Sequence, residues 1–445
     1  MLHLLGWSSR RPRRRLASLM QLKPALGPVQ LTFYAVGVIV GAGIYSVIGS
    51  AAGIAGEGLW LSFVIGAAVA FLTGLSYAEM TTMMPVAGAE YVYLRRAAPR
   101  ADWAAFGVGA IILFSGAATA ATVSIAFGGY LRTFADVPVW LSALALLALC
   151  SAINIRGIRE SSWANILLTL VEVGGLVLVI AAGFAAGGMV EPLFTAPGPG
   201  VMTGAAILFF VFLGFEELAN VAEETRDPRD VPRALFAGLG ITTVLYVLVA
   251  LAIVALAPPE ILAASEAPLA TALSQIWPGA GGALSVIALF ATANTVLIIL
   301  VATSRLAFSM GRDGELPSVF GAVLPKRRTP WVGALFAFAL GAILIPVGDL
   351  TVLAELSSIS ALIAFLAVNF TLIALRYREP DRARPFRVPG SIGKLPLVPV
   401  AAIASILFLL AYFDWKVYLG AALALGVAAL AFAARQWWRR GERVK

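Results

Sequence analysis

The stretch Gly37-Val-Ile-Val-Gly41-Ala-Gly43-Ile-Tyr45-Ser46 lies inside an apolar run that is long enough to cross a lipid bilayer. Its three glycines fall within seven residues near the middle of the run, where glycine weakens a helix. Close helix packing through small residues would explain them. A break in the helix would explain them equally well. The backbone N–H groups that a break leaves free are tolerated at membrane depth only where they are buried in protein or line a cavity. We expect a break here.

A second stretch of the same kind reads Phe209-Phe210-Val-Phe212-Leu-Gly214-Phe215-Glu216-Glu217. A glycine is followed by two adjacent carboxylates inside an apolar run, and charged residues at that depth cost several kcal/mol on insertion scales. The carboxylates are therefore expected to face a wet or protein-lined interior, where two neighbours are not both expected to be ionised. The N-terminus of a half-helix at such a break favours an anionic group such as a carboxylate.

The composition identifies a polytopic membrane protein. The 445 residues are 60% hydrophobic and 13% charged, whereas a soluble chain carries about 25% charged residues. Cys150 and His3 are the only residues of their types, which excludes an intramolecular disulfide, the common zinc sites and His-dependent catalysis. No nucleotide-binding G-x-x-x-x-G-K-[ST] motif occurs. We therefore expect no enzyme, no cofactor and no metal.

Apolar runs between charged or Gly/Pro-rich breaks predict twelve membrane-spanning helices, with eleven or thirteen as the alternatives. The twelve are Leu31–Ala52, Leu59–Glu79, Trp103–Gly128, Val139–Ile155, Ala164–Gly187, Met202–Ala222, Ala234–Ala257, Ala283–Phe308, Trp331–Val347, Leu353–Leu375, Leu397–Phe413 and Val417–Ala434.

The basic residues favour twelve spans with both termini in the cytoplasm. In that arrangement only Arg132 and Lys416, of 32 Lys and Arg, lie outside the cytoplasmic segments, as the positive-inside rule requires. The net charge of +8 thus reports orientation, with attraction to anionic lipid as a by-product, and nucleic acid is not an expected partner. The short loops fit a multi-pass protein of the cell membrane.

The two interrupted helices hold corresponding places if the chain is two inverted five-helix repeats followed by two more helices, an arrangement that places a substrate site near the membrane midplane. The predicted units are a basic N-terminus (1–28), the two repeats (29–190 and 200–376), the last two helices (377–434) and a cytoplasmic tail (435–445).

Four spaced motifs resemble those of the amino acid–polyamine–organocation superfamily, in the expected order over about 300 residues. They are Gly37-x3-Gly41-Ala-Gly43-Ile-Tyr45; Ser76-Tyr77-Ala78-Glu79 with Pro85, Gly88, Glu90-Tyr91 and Tyr93; Phe212-x-Gly214-Phe215-Glu216 with Ala222-Glu223-Glu224, Asp227-Pro228 and Pro232; and Ser304-Arg305-Leu306 with Gly311-Arg312-Asp313-Gly314-x-Leu316-Pro317. The resemblance implies the LeuT-like fold and transport of amino acids or related amines; LeuT is a standard example of this architecture.

The resemblance also implies roles for individual residues. The backbone of Val40, Gly41, Ala42, Gly43 and Ile44 would hold the substrate carboxylate. Carbonyls around Phe209, Phe212 and Gly214 would hold the ammonium, and Phe210 stands where relatives place an aromatic gate. Glu216 falls where some relatives have a carboxylate tied to coupling. Lower-ranked candidates for the pocket lining are Phe114, Ser115, Asn294, Thr295 and Ser357.

The fifth span departs from the family pattern. Many members carry a lysine where this chain has Glu172, and the span contains no Lys or Arg. A carboxylate does not replace a fixed cation. Glu172 could be neutral, could bind a cation, or could carry a coupled proton, and it is with Glu216 a candidate for coupling.

The function predicted from these residues is secondary active uptake of neutral amino acids by alternating access, with a proton as the coupled ion. An exchanger of amino acids or polyamines is the alternative, because Glu216 and Glu217 could bind a cationic substrate. A sensor that binds without transport is a further alternative.

Overall fold

The computed structural model describes residues 27–86, 89–157, 162–220, 222, 225–327 and 329–443. The basic N-terminal segment as far as residue 26, together with Gly88, Glu223 and Glu224 of the motifs, lies outside the described residues.

The helices are α1 (Pro28–Val40), α2 (Gly43–Ala55), α3 (Leu59–Met83), α4 (Ala89–Ala97), α5 (Asp102–Leu131), α6 (Val139–Arg156), α7 (Ser162–Ala186), α8 (Val201–Leu208), α9 (Glu217–Asn220), α10 (Asp230–Leu256), α11 (Pro259–Ala264), α12 (Pro268–Ser274), α13 (Ala280–Arg312), α14 (Trp331–Leu344), α15 (Leu350–Arg378), α16 (Leu397–Leu410) and α17 (Trp415–Arg443). Two short strands, β1 (Ser391–Ile392) and β2 (Leu395–Pro396), pair antiparallel between α15 and α16.

Nine helical stretches of the described ranges are long and apolar enough to cross a membrane. One of them contains both α2 and α3, joined by a single 3-10 turn. Three shorter apolar helices accompany the nine, namely Pro28–Val40, Trp331–Val347 and Leu397–Leu410. Large apolar side chains such as Phe184, Ile343 and Leu430 are exposed on the outer surface, as contact with lipid chains requires. The chain is therefore an all-helical polytopic membrane protein.

Several helices continue beyond the apolar runs from which they were predicted. Helix α3 ends at Met83 rather than Glu79, α13 at Arg312 rather than Phe308, and α15 at Arg378 rather than Leu375. Hydropathy marks the part of a helix that lies in lipid, whereas the helix itself continues as long as its backbone bonds and tertiary contacts support it.

One end of α2 is covered by α11 and α12. A Cβ on Gly49 would lie 2.5 Å from the carbonyl oxygen of Leu262 and 2.9 Å from Pro268, so this close approach requires glycine. Beside it, Arg132 at the end of α5 pairs with Glu266 at 2.9 Å. This end of the interrupted helix is thus packed against the α11–α12 segment.

At the opposite membrane end, Glu79 holds the loop after α15 in place. Its Oε1 accepts a hydrogen bond from Nε of Arg376 at 2.8 Å, and its Oε2 accepts from the N–H of Val388 at 2.8 Å. The Nε of Arg384 lies 2.9 Å from Oε1. Glu79 is 0% exposed and Arg376 3%. Glu79 therefore anchors this loop to the end of α3.

Candidate functional site

The predicted break in the first span is present. Helix α1 ends at Val40 and α2 begins at Gly43, and the intervening Gly41 has φ 17° and ψ −161°. The N–H of Ala42 leaves the helical ladder and donates to Oγ1 of Thr295 on α13 at 2.9 Å. A threonine of another helix therefore takes one of the backbone donors that the break sets free.

The start of α2 offers further donors. The carbonyl of Ala42 accepts from both the N–H and the hydroxyl of Ser46, at 3.0 and 2.7 Å. The N–H groups of Gly43 and Ile44 lie in the first turn of α2, where the helix supplies no carbonyl four residues earlier, so they have no partner within the helix. Because the positive end of the helix dipole lies here, this is a suitable place for a carboxylate.

The second predicted break is also present. After α8, Phe209–Phe212 forms a 3-10 turn, Leu213 is extended, and Gly214 has φ +115°. This φ lies in the left-handed region, which favours glycine. Oε2 of Glu216 accepts a hydrogen bond from the N–H of Gly214 at 2.8 Å. The Glu216 side chain therefore satisfies the backbone of the break itself.

The two interruptions touch each other through glycines. A Cβ on Gly214 would lie 2.8 Å from Cγ1 and 2.9 Å from the carbonyl oxygen of Val38. A Cβ on Gly43 would lie 3.1 Å from Cα of Val211. These close approaches bring the interrupted regions of both spans together.

Tyr246 on α10 connects the same two backbones. Its hydroxyl lies 2.8 Å from the carbonyl oxygen of Ile39, 3.2 Å from that of Val40 and 3.1 Å from that of Val211. A hydroxyl has one hydrogen to donate, so three carbonyls share one donor. The ring packs against Phe212, with centroids 5.6 Å apart. Tyr246 was not predicted as a site residue, since one tyrosine in an apolar helix gives no local signal.

The predicted aromatic residues lie in the protein interior. Phe209, Phe210 and Phe212 are 0%, 3% and 0% exposed, and Phe209 packs edge-on against Phe365 with centroids 6.2 Å apart. The carbonyl of Phe210 accepts from the N–H of Leu213 at 3.2 Å, so part of the backbone assigned to the ammonium is already bonded. The gate role of Phe210 stays a prediction.

Glu172 lies close to the first interruption. It is 2% exposed; its Oε1 accepts a long hydrogen bond from Nδ2 of Asn294 at 3.4 Å, and Oε2 has no hydrogen-bond partner among the described residues. The Glu172 carbonyl accepts from the hydroxyl of Tyr45 at 2.7 Å. Asn294 neighbours Thr295, which bonds Ala42, so a short polar path runs from the carboxylate of α7 through α13 to the break.

The remaining lining candidates are placed differently. Ser115 and Ser357 bond each other: the hydroxyl of Ser115 donates to the Ser357 carbonyl at 3.0 Å, and Thr119 joins the pair at 2.5 Å. These hydroxyls connect α5 to α15, as small polar groups often do in membranes. Phe114 is half-buried against the core.

A further carboxylate belongs to the same region. Glu90 on α4 is buried, and its Oε1 accepts from the hydroxyl of Tyr77 at 2.9 Å. Burial raises the pKa of the Glu90 carboxyl to about 7, and the neighbouring charge of Glu217 acts in the same direction. The Glu90 carboxyl therefore titrates closer to neutral pH than an exposed glutamate does. Glu90 appeared in the sequence only as part of a motif, because its burial depends on α4 folding back onto α3.

Comparison with known proteins agrees with this geometry. A family model described as amino acid permease matches residues 26–424. The branched-chain amino acid permease BcaP of Bacillus subtilis (strain 168) is 31% identical over 421 residues, which cover 88% of this chain and 89% of that protein. The methylthioribose transporter of the same organism is 28% identical, covering 85% and 86%. The vacuolar cationic amino acid transporter 4 of Arabidopsis thaliana is 29% identical, covering 81% and 64%.

The two broken spans, the motifs around them and these similarities lead to one conclusion, which confirms the resemblance seen in the sequence. The chain belongs to the amino acid permease family of the amino acid–polyamine–organocation superfamily, and it is a membrane transporter rather than an enzyme.

Proposed function

We propose that the protein is a secondary active transporter that takes up neutral amino acids, with a proton as the coupled ion, across the cell membrane. The observation that carries the proposal is the contact between the two interrupted spans, where the start of α2 lies against Val211 and the turn at Gly214 lies against Val38. A zwitterion needs such donors for its carboxylate and such acceptors for its ammonium.

The proposal includes the topology. Twelve spans, with the interrupted pairs α1–α2 and α8–α9 as the first helix of each inverted repeat, place both termini in the cytoplasm. The interrupted helices would rock against a scaffold formed by the third, fourth, eighth and ninth spans. In the present arrangement α2 is packed against α11 and α12, which supports an outward-closed state.

A neutral substrate is supported by the side chains around the interruptions. Val40, Ile44, Phe210 and Phe212 are apolar and buried, and Glu216 is already bonded to the backbone of Gly214. A similar chain is named as a branched-chain amino acid permease, which makes leucine, isoleucine and valine the first substrates to test. In reconstituted vesicles, excess unlabelled leucine should abolish uptake of labelled leucine and excess arginine should not. Equal competition by arginine would favour the cationic or polyamine exchanger instead.

Proton coupling is supported by Glu172. Burying a carboxylate without a counter-charge costs several kcal/mol, so Glu172 is expected to hold a proton or another cation during part of the transport cycle. Glu172→Gln keeps the size of the side chain and removes its titration. Accumulation of labelled leucine driven by an imposed pH gradient should fall to the level without a gradient, while leucine–leucine exchange continues.

The control for this experiment is Glu57→Gln in the exposed turn between α2 and α3, which should leave both activities unchanged. Gradient-driven accumulation that persists in Glu172→Gln would remove the residue from coupling. Equal uptake by the wild-type protein with and without a pH gradient, at matched potential, would remove proton coupling altogether.

Tyr246→Phe should slow transport by about five- to 150-fold, because loss of the hydroxyl leaves buried carbonyls without a donor at a cost of about 1–3 kcal/mol. The ring packing against Phe212 is kept. Initial uptake rates in vesicles measure the effect, with Tyr412→Phe, at the turn after α16, as the control. A wild-type rate in Tyr246→Phe would show that the hydroxyl does not hold the two interruptions together.

A further inference from the structure

A groove opens beside the start of α5, at the same membrane end as the Glu79 ion pairs. Its lining consists of Ala98, Pro99, Arg100, Ala101 and Arg378. The volume is about 470 Å³, and the only charged side chains in the lining are the two arginines. The groove is separate from both interrupted spans and plays no part in the transport proposal.

The two arginines of the groove are not neutralised by the protein. Within the described part of the chain, neither Arg100 nor Arg378 has a carboxylate within 4.0 Å. Arg378 donates through Nη1 to the carbonyl of Ala97, which holds its guanidinium at the groove while its other N–H groups are left for a ligand. An acidic residue, Asp102, follows the lining in the sequence and is exposed.

Glu379, which follows Arg378 directly in the sequence, is already paired with other arginines. Glu379 accepts from Nε of Arg96 at 3.1 Å and from Nη1 of Arg382 at 2.8 Å. One carboxylate is therefore shared by two other guanidinium groups, and the positive charge of the groove is left uncompensated.

Two exposed aromatic residues show where the groove lies relative to the membrane. Trp103 at the start of α5 is 67% exposed, and Tyr377 at the end of α15 is 52% exposed. Both stand at the end of a membrane-spanning helix, the level at which Trp and Tyr meet the lipid headgroups. Their exposure at these helix ends favours a groove that reaches the lipid headgroups.

We propose that this groove binds the phosphate group of an anionic phospholipid, with Arg100 and Arg378 as its ligands and Trp103 and Tyr377 beside the upper acyl chains. Guanidinium groups match the geometry of phosphate oxygens, and basic pockets between membrane helices are suited to anionic headgroups. Free phosphate shares this chemistry, but the exposed aromatic residues favour a ligand that also has acyl chains.

The test is binding of single lipids to the purified full-length protein, measured by native mass spectrometry during titration with phosphatidylglycerol, phosphatidylcholine or inorganic phosphate. The wild-type protein should bind phosphatidylglycerol more tightly than the other two ligands. Arg100→Gln/Arg378→Gln should weaken phosphatidylglycerol binding by about thirtyfold, since each lost arginine near an anionic surface contributes roughly fivefold.

Arg96→Gln is the matched control, because Arg96 lies at the same membrane end but is paired with Glu379; its affinity for phosphatidylglycerol should stay within about twofold of wild type. An unchanged affinity in the double variant would overturn the proposal. Inorganic phosphate that binds as tightly as phosphatidylglycerol would overturn the assignment to a lipid.

Discussion

Glu79→Gln is expected to lower the free energy of unfolding by about 3–5 kcal/mol, the cost of breaking a buried ion pair by removing one partner. Arg376 would lose its counter-charge in a position where it is 3% exposed, and Arg384 would lose its nearest carboxylate. The N–H of Val388 would keep an acceptor, because the amide oxygen of Gln remains. The loss is therefore mainly electrostatic, and the loop between α15 and α16 should detach from α3 first.

Chemical unfolding of the purified variants in detergent measures this loss. Arg376→Gln is the second single variant, and Glu79→Gln/Arg376→Gln completes a double-mutant cycle. The double variant should be more stable than the sum of the two single losses predicts, because no unpaired charge of that pair is left buried. A loss below about 1 kcal/mol in Glu79→Gln, typical of an exposed pair, would show that this cluster does not stabilise the fold.

Gly214→Ala is expected to reduce leucine uptake by about tenfold or more, since the strained conformation alone costs about 1–3 kcal/mol for a residue with a Cβ. The φ of +115° is one cause. The other is contact, because the new Cβ would lie 2.9 Å from the carbonyl oxygen of Val38, and backbone cannot rotate away as a flexible side chain can. The two interruptions would have to separate, which displaces the donors and acceptors proposed to hold the substrate.

Gly240→Ala on α10 is the matched control. A Cβ at Gly240 meets nothing within 4 Å, so this variant should transport at the wild-type rate. Size-exclusion profiles and melting temperatures of both variants separate a transport defect from a failure to fold. Normal uptake by a well-folded Gly214→Ala protein would contradict the requirement for glycine where the two interruptions meet.

The sequence by itself determined the class of protein, the approximate spans and the two interruptions. Apolar runs report membrane helices directly because lipid leaves no alternative for an exposed backbone. The breaks were visible because glycines at 41, 43 and 214 and carboxylates at 216 and 217 are unfavourable in an uninterrupted membrane helix. The superfamily resemblance, which the comparisons confirm, depended on the same residues.

The tertiary structure alone decided which groups meet at the interruptions and at the membrane ends. Tyr246 reaches carbonyls of both breaks, Thr295 caps Ala42 from 253 residues away, and Arg376 pairs with Glu79 across 297 residues. Ser115 and Ser357 bond each other, a pairing that their predicted place in the pocket lining did not reveal. These contacts depend on how each apolar helix is rotated against its neighbours. Apolar helices have little polar–apolar periodicity to reveal that rotation, and a bond to a backbone carbonyl requires no recognisable partner side chain.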